Sequence, residues 1–96
     1  MAAYLIAAPE GIHDLDGITK YATHVPAIIE SFGGEFLIPQ GTTRTLEGDW
    51  HPSSMVLIKF PSMDRLLEFY ESAEYRPWRE LRHKSAQTSI VVTEQA

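Results

Sequence analysis

Met55-Val56-Leu57-Ile58-Lys59-Phe60-Pro61-Ser62 is a short apolar run shut off by a proline and a serine. It reads as a strand with a helix starting directly behind it. Its length and its near-continuous apolar character predict a strand buried on both faces. Ser62 can cap the helix that follows, and Asp64 sits in its positively polarised first turn. Leu66, Leu67, Phe69 and Tyr70 make the apolar side of that helix. Directly upstream, Leu46-Glu47-Gly48-Asp49-Trp50-His51-Pro52 sets a glycine turn, a Trp, a His and a carboxylate against the start of the strand. No other segment brings titratable side chains so close to an expected core.

Toward the N-terminus, Thr42–Glu47 alternates as a strand does, and Glu35–Ile38 precedes it, with Pro39-Gln40-Gly41 as an interruption. Ile18, Tyr21, Ala22, Val25, Ile29 and Phe32 recur at helical spacing. Asp14 or Asp16 can cap that helix, and Gly33-Gly34 ends it. Pro26 lies inside the pattern and predicts a kink near His24-Val25 or a break into two pieces. Tyr4–Ala8 is a first strand, closed by Pro9-Glu10-Gly11. Toward the C-terminus, Ser72 can cap a third, short helix carrying Tyr75, Trp78 and Leu81, and Thr88–Thr93 is a last β-branched strand. Residues 1–96 are expected to form a single domain.

The order strand, helix, strand, strand, helix, strand is that of an α+β, ferredoxin-like split βαβ sandwich: a four-stranded antiparallel sheet with helices on one face. Strands that are apolar at nearly every position need cover on the other face as well, because a soluble monomer rarely exposes so large an apolar patch. A homodimer joined through the sheet face, closing a dimeric α/β barrel, meets that need.

Composition narrows the function. The chain has 96 residues, 44% hydrophobic and 22% charged, which is ordinary for a globular domain. Eight basic against thirteen acidic residues give a net charge of −5, which argues against nucleic acid and anionic membrane as partners. The absence of cysteine removes disulfides, thiolate nucleophiles and thiolate metal sites. Met1-Ala2-Ala3 leads straight into a strand-like run too short to be a signal peptide or span, so a cytoplasmic location is expected. No GxSxG, P-loop or GxGxxG occurs, and no metal site or cofactor is expected.

The chain resembles a family of short bacterial proteins of unknown function within the dimeric α/β-barrel superfamily. The likeness rests on Tyr4-Leu5-Ile6-Ala7, on Val25-Pro26 before Gly33-Gly34-Glu35-Phe36-Leu37, on Leu46-Glu47-Gly48-Asp49-Trp50, on Val56 through Ser62, and on Phe69-Tyr70-Glu71-Ser72-Ala73-Glu74-Tyr75 through Leu81-Arg82. It implies the ferredoxin-like fold and a dimeric barrel, and carries over no catalytic residue. The superfamily includes cofactor-independent monooxygenases, isomerases and heme-degrading enzymes. The resemblance also implies an Arg where this chain has Ser54; if that Arg binds an anion, Arg44 and Lys59 are the basic residues left nearby in sequence.

Two function classes follow. In the first, a cofactor-independent oxygenase or isomerase acts on a small apolar or aromatic metabolite. His51 moves a proton, Asp49 orients it, and Tyr21, His24, Trp50 and Arg82 line the ligand pocket. In the second, the chain is a non-catalytic small-molecule-binding or structural homodimer. Each candidate has a structural alternative. Asp49-Trp50-His51 can be a plain turn, His24 can bond a carbonyl freed by Pro26, the stripe Tyr70, Tyr75 and Trp78 can be core or dimer contact rather than a ligand platform, and Arg82 can serve the negative end of its helix.

Overall fold

The computed structural model describes residues 1–96. Its strands are β1 (Ala3–Ile12), β2 (Glu35–Thr42), β3 (Ser54–Phe60) and β4 (Ala86–Glu94). Its helices are α1 (Leu15–Ser31), α2 (Met63–Glu71) and α3 (Arg76–Ser85). The strands form one antiparallel sheet in the order β2-β3-β1-β4, which is the split βαβ topology. The core lies between the helices and one sheet face, where Leu5, Ile58 and Phe60 meet Val25 and Ile29 of α1, Leu66 and Phe69 of α2, and Tyr75.

Local chemistry fixes the ends of the helices. Asp14 caps α1, its carboxylate accepting from the Gly17 N–H at 3.1 Å. At the other end Gly33 adopts φ +84°, its N–H bonds the Glu30 carbonyl, and the Gly34 N–H bonds the Ile29 carbonyl, each at 2.9 Å. That is the paired closure a glycine C-cap provides. Ser62 caps α2 by accepting from the Arg65 N–H at 3.1 Å. Ser72, expected to cap α3, instead accepts from the Tyr75 N–H and shapes the turn between α2 and α3. Helix α3 begins at Arg76 with Pro77 in its first turn, where a missing N–H is harmless.

Four boundary expectations need correction. The helix around Pro26 does not divide: α1 is one element that continues past the proline, with Val25 and Ile29 buried on its inner side. Strand β1 does not close at Pro9 but runs on to Ile12, through a register shift between Pro9 and Gly11. Pairing with β3 ends at Ala7, so the proline interrupts no ladder on that flank. Strand β2 likewise passes through Pro39-Gln40-Gly41, which an edge strand tolerates by shifting register around Ile38. The alternating Thr42–Glu47 segment is not a strand beyond Thr42. The Thr43 hydroxyl donates to the Pro52 carbonyl and the Thr45 hydroxyl to the Trp50 carbonyl at 2.6 Å, tying the β2–β3 loop across itself.

The expectation that β3 is buried on both faces holds for one face within a single chain. Ile58 and Phe60 are buried, whereas Met55 and Leu57 are half-buried. Side chains alternate across a strand, so the face turned away from the helices carries Tyr4, Ile6, Leu57 and Val91, with Ile6 opposite both Leu57 and Val91. Val91 is 53% exposed.

Candidate functional site

Helix α1 packs chiefly on α3, and a space remains between it and the sheet. The gap is a cavity of about 670 Å³, the size that takes a small metabolite. The sheet supplies an apolar wall: Leu5, Ala7 and Pro9 of β1, Val56 and Ile58 of β3, Phe36 of β2 and Ile90 of β4. Ile18, Ala22, Val25, Pro26 and Ile29 of α1 close the opposite side. Pro26 has no N–H, so the Ala22 carbonyl lacks its usual helix donor beside this space.

The polar side chains divide between two ends. At the buried end, Tyr21 from α1, Tyr75 from the turn before α3 and Arg82 from α3 come together on the lining. The Tyr21 and Tyr75 hydroxyls are 2.5 Å apart, one donating to the other. Arg82 is only 6% exposed and Tyr75 only 1%. At the exposed end the lining carries Glu10, Gln40 and Ser53, with Ser54 and Thr88 between. The Glu10 carboxylate accepts from the Ser89 hydroxyl at 2.8 Å.

Electrostatics sharpen the buried end. Burial raises the Tyr21 phenol far above its ordinary value, and the neighbouring Tyr75 oxygen adds to the rise, so Tyr21 keeps its proton. Burial works against the Arg82 charge, but the Tyr75 and Tyr21 oxygens outweigh it and hold the guanidinium above the usual arginine value. No carboxylate pairs with Arg82; the ion pairs of the chain engage Arg65 with Glu68 and Arg79 with Glu71. Its Nε is buried and makes no hydrogen bond, while a terminal nitrogen lies 3.4 Å from Nε2 of His83. Partial burial and the charges of Arg82 and Arg79 lower the His83 pKa.

The residues singled out from sequence fall in three places. Tyr21 and Arg82 line the cavity together. His24 lies on the exposed side of α1, its ring stacked on Trp78 at 4.6 Å with Nδ1 2.9 Å from the Lys20 carbonyl. Asp49, Trp50 and His51 lie in the β2–β3 loop around Gly48, whose φ is +96°, and all three are exposed, Trp50 by 48%. None of these four residues is on the cavity lining, although Ser53 and Ser54 from the end of the same loop are. Arg44 and Lys59 lie off the lining as well. Sequence reasoning missed Glu10 and set Tyr75 in an aromatic stripe rather than among the pocket residues. Tyr75 belongs to an aromatic stripe that reads as core, and it does pack on Phe69 at 4.3 Å. Glu10 sits in a Pro-Glu-Gly segment that reads as a turn but forms the bulged end of β1.

Residues 2–96 match the model of a protein family described as a domain of unknown function, DUF1330. Among curated proteins, none matches the chain. Several solved structures share its fold. A protein of unknown function from Rhodopseudomonas palustris is 16% identical, with a TM-score of 0.75 over 99% of this chain and 82% of that one. A dimeric ferredoxin-like protein of unknown function from Jannaschia sp. CCS1 is 17% identical, with a TM-score of 0.72 over 99% of this chain and all of that one. SnoaB, a cofactor-independent oxygenase from Streptomyces nogalater, is 6% identical, with a TM-score of 0.68 over 99% of this chain and 93% of that one. At these identities the likeness is one of fold.

Proposed function

The chain belongs to the DUF1330 family, and from that premise we propose that its cavity receives a small apolar or aromatic metabolite, oriented by Tyr21, Tyr75 and Arg82. The observation that carries this reading is the company the three side chains keep. A charged guanidinium and the Tyr75 phenol, both nearly removed from water, join the half-buried Tyr21 phenol on a largely hydrophobic space of metabolite size. Folding alone gives no reason to bury a cation there, since buried charge is costly unless something partners it.

The working assembly is a homodimer joined through the sheet face opposite the helices. Tyr4, Ile6, Leu57 and Val91 form a contiguous apolar patch there, of the kind a monomer seldom leaves in water. The solved neighbour from Jannaschia sp. CCS1 is described as dimeric, which supports the same arrangement here.

The reaction class we favour is isomerisation or cofactor-independent oxygenation. The Streptomyces nogalater oxygenase offers a precedent for the latter on this fold, and precedent of fold is all it offers. Glu10 lines the exposed end of the cavity, but its carboxylate is bonded to the hydroxyl of Ser89, which shares the outer sheet face with Val91, so no carboxylate is placed to exchange a proton with a bound substrate. The protonated Tyr21 and the Arg82 charge suit an oxygen that bears or gains negative charge. A non-catalytic binding protein would use the same cavity without turnover.

A thermal-shift screen of small aromatic and aliphatic metabolites tests the reading, because any ligand that prefers the native state raises the midpoint by mass action. The variant Ala7→Phe should fill the cavity and erase the shifts while leaving the fold intact. Shifts that survive Ala7→Phe unchanged would place binding elsewhere. For each hit, oxygen uptake and solvent-deuterium incorporation then separate oxygenase, isomerase and simple binder.

A further inference from the structure

Resting on the reading of the cavity as a ligand site, we propose that its ligand is a monocarboxylic acid with an apolar body, its carboxylate seated on Arg82. Four observations converge on this. Arg82 is the one cation on the cavity lining. It has no acidic partner within the chain. Its Nε is buried and unbonded, so no acceptor within the chain offsets the charge at that atom. The acceptors near it are two phenol oxygens and the His83 imidazole, none of them a carboxylate.

Chemistry selects the carboxylate. A guanidinium presents paired N–H groups as a planar fork whose spacing matches the two oxygens of a carboxylate. The hydroxyl that accepts in the Tyr21–Tyr75 pair keeps its own proton free and can donate to an oxygen not fully satisfied by the fork. A phosphate brings more charge and a third strong acceptor, for which this lining offers no second cation. The rest of the wall, from Leu5 and Ile58 to Val25, Ile29 and Ile90, is hydrocarbon and calls for an alkyl or aryl body.

Matched pairs differing only in charge test the idea. Phenylbutyrate is compared with phenylbutyramide, and octanoate with octanamide, by isothermal titration at neutral pH on the intact protein. The acid of at least one pair should bind roughly ten- to a hundred-fold more tightly than its amide, the range expected for a charge-assisted bond. Arg82→Gln should bring acid and amide to equal affinity. Arg82→Lys, which keeps the charge but loses the fork, should retain part of the difference. Because the wild-type comparison needs no variant, failure of Arg82→Gln to fold leaves the test intact. Equal affinity of acid and amide for the wild-type protein overturns the carboxylate assignment while leaving the cavity reading standing. Binding of neither member of either pair overturns both, and tighter binding of inorganic phosphate than of either acid overturns the choice of anion.

Discussion

Replacing Arg82 with methionine should make the ligand-free protein more stable while destroying its preference for acids. Methionine fills the space of the arginine stem without a charge or a polar atom. Relief of the unbonded Nε, a buried donor with no partner, is worth ~1–3 kcal/mol. Against this stand the loss of the contacts with the Tyr21 and Tyr75 oxygens, about 1 kcal/mol, and of a cation in the last turn of α3, about 0.5 kcal/mol. Because the tyrosine oxygens outweigh the desolvation of the charge, desolvation adds no further gain, and the balance is a net stabilisation of up to roughly 1 kcal/mol. For a domain of this length each kcal/mol moves the thermal midpoint by about 4–8 °C. Urea unfolding at fixed protein concentration, on protein shown by mass spectrometry to carry no ligand, should give a higher midpoint at an unchanged slope. A loss of stability beyond about 1 kcal/mol would refute the reasoning: the tyrosines would then be meeting the needs of Arg82, and its burial would have a structural cause.

Other perturbations have equally definite outcomes. Leu57→Glu places a charge on the apolar outer face and should convert the dimer into monomers, read by light scattering after size-exclusion chromatography; a dimer that survives it would locate the interface elsewhere. Tyr21 keeps its proton in the folded state at a pH where the unfolded chain, with an ordinary value of 10.0, has lost it. The stability this contributes is whole below pH 10.0 and falls as pH rises further, by about 1.4 kcal/mol per unit. Tyr21→Phe should therefore flatten the alkaline decline in a denaturation series. Gly33→Ala forces a side chain onto a left-handed residue with its Cβ 2.9 Å from Pro61 Cγ, and should cost about 1–3 kcal/mol by urea unfolding. His51→Ala, in the exposed loop and off the cavity lining, should leave acid binding unchanged in the same titration.

The fold was legible because its elements are written locally. Asp14, Ser62 and Gly33 each mark a helix end through a bond to a residue a few positions away. Where the sequence misled, tertiary context had won. Pro9, Pro26 and Pro39 all read as breaks, yet each is carried inside an element because an open flank or a packed inner side offsets the missing N–H. The site was half legible. Tyr21 and Arg82 were visible as polar groups on otherwise packed helices, but nothing in the sequence places Tyr75, fifty-four positions from Tyr21, within hydrogen-bond reach of it. The density of polar residues around Asp49 and His51 drew attention to the loop, whereas the polar groups that matter to the cavity are far apart in sequence and meet through the packing of α1 on α3.

The cavity draws its polar buried end from the helical layer and its hydrocarbon wall largely from the sheet. Head-group recognition and body recognition are thus inherited from separate parts of the chain. Changes near Tyr21, Tyr75 and Arg82 can retune which functional group is accepted, and changes at Ala7, Val56 or Ile90 can retune how long or broad a molecule is admitted. Residues that share no partner contribute nearly independently. A lineage built on this scaffold can therefore alter one preference at a time, keeping a workable binding site at each step as it moves to new metabolites.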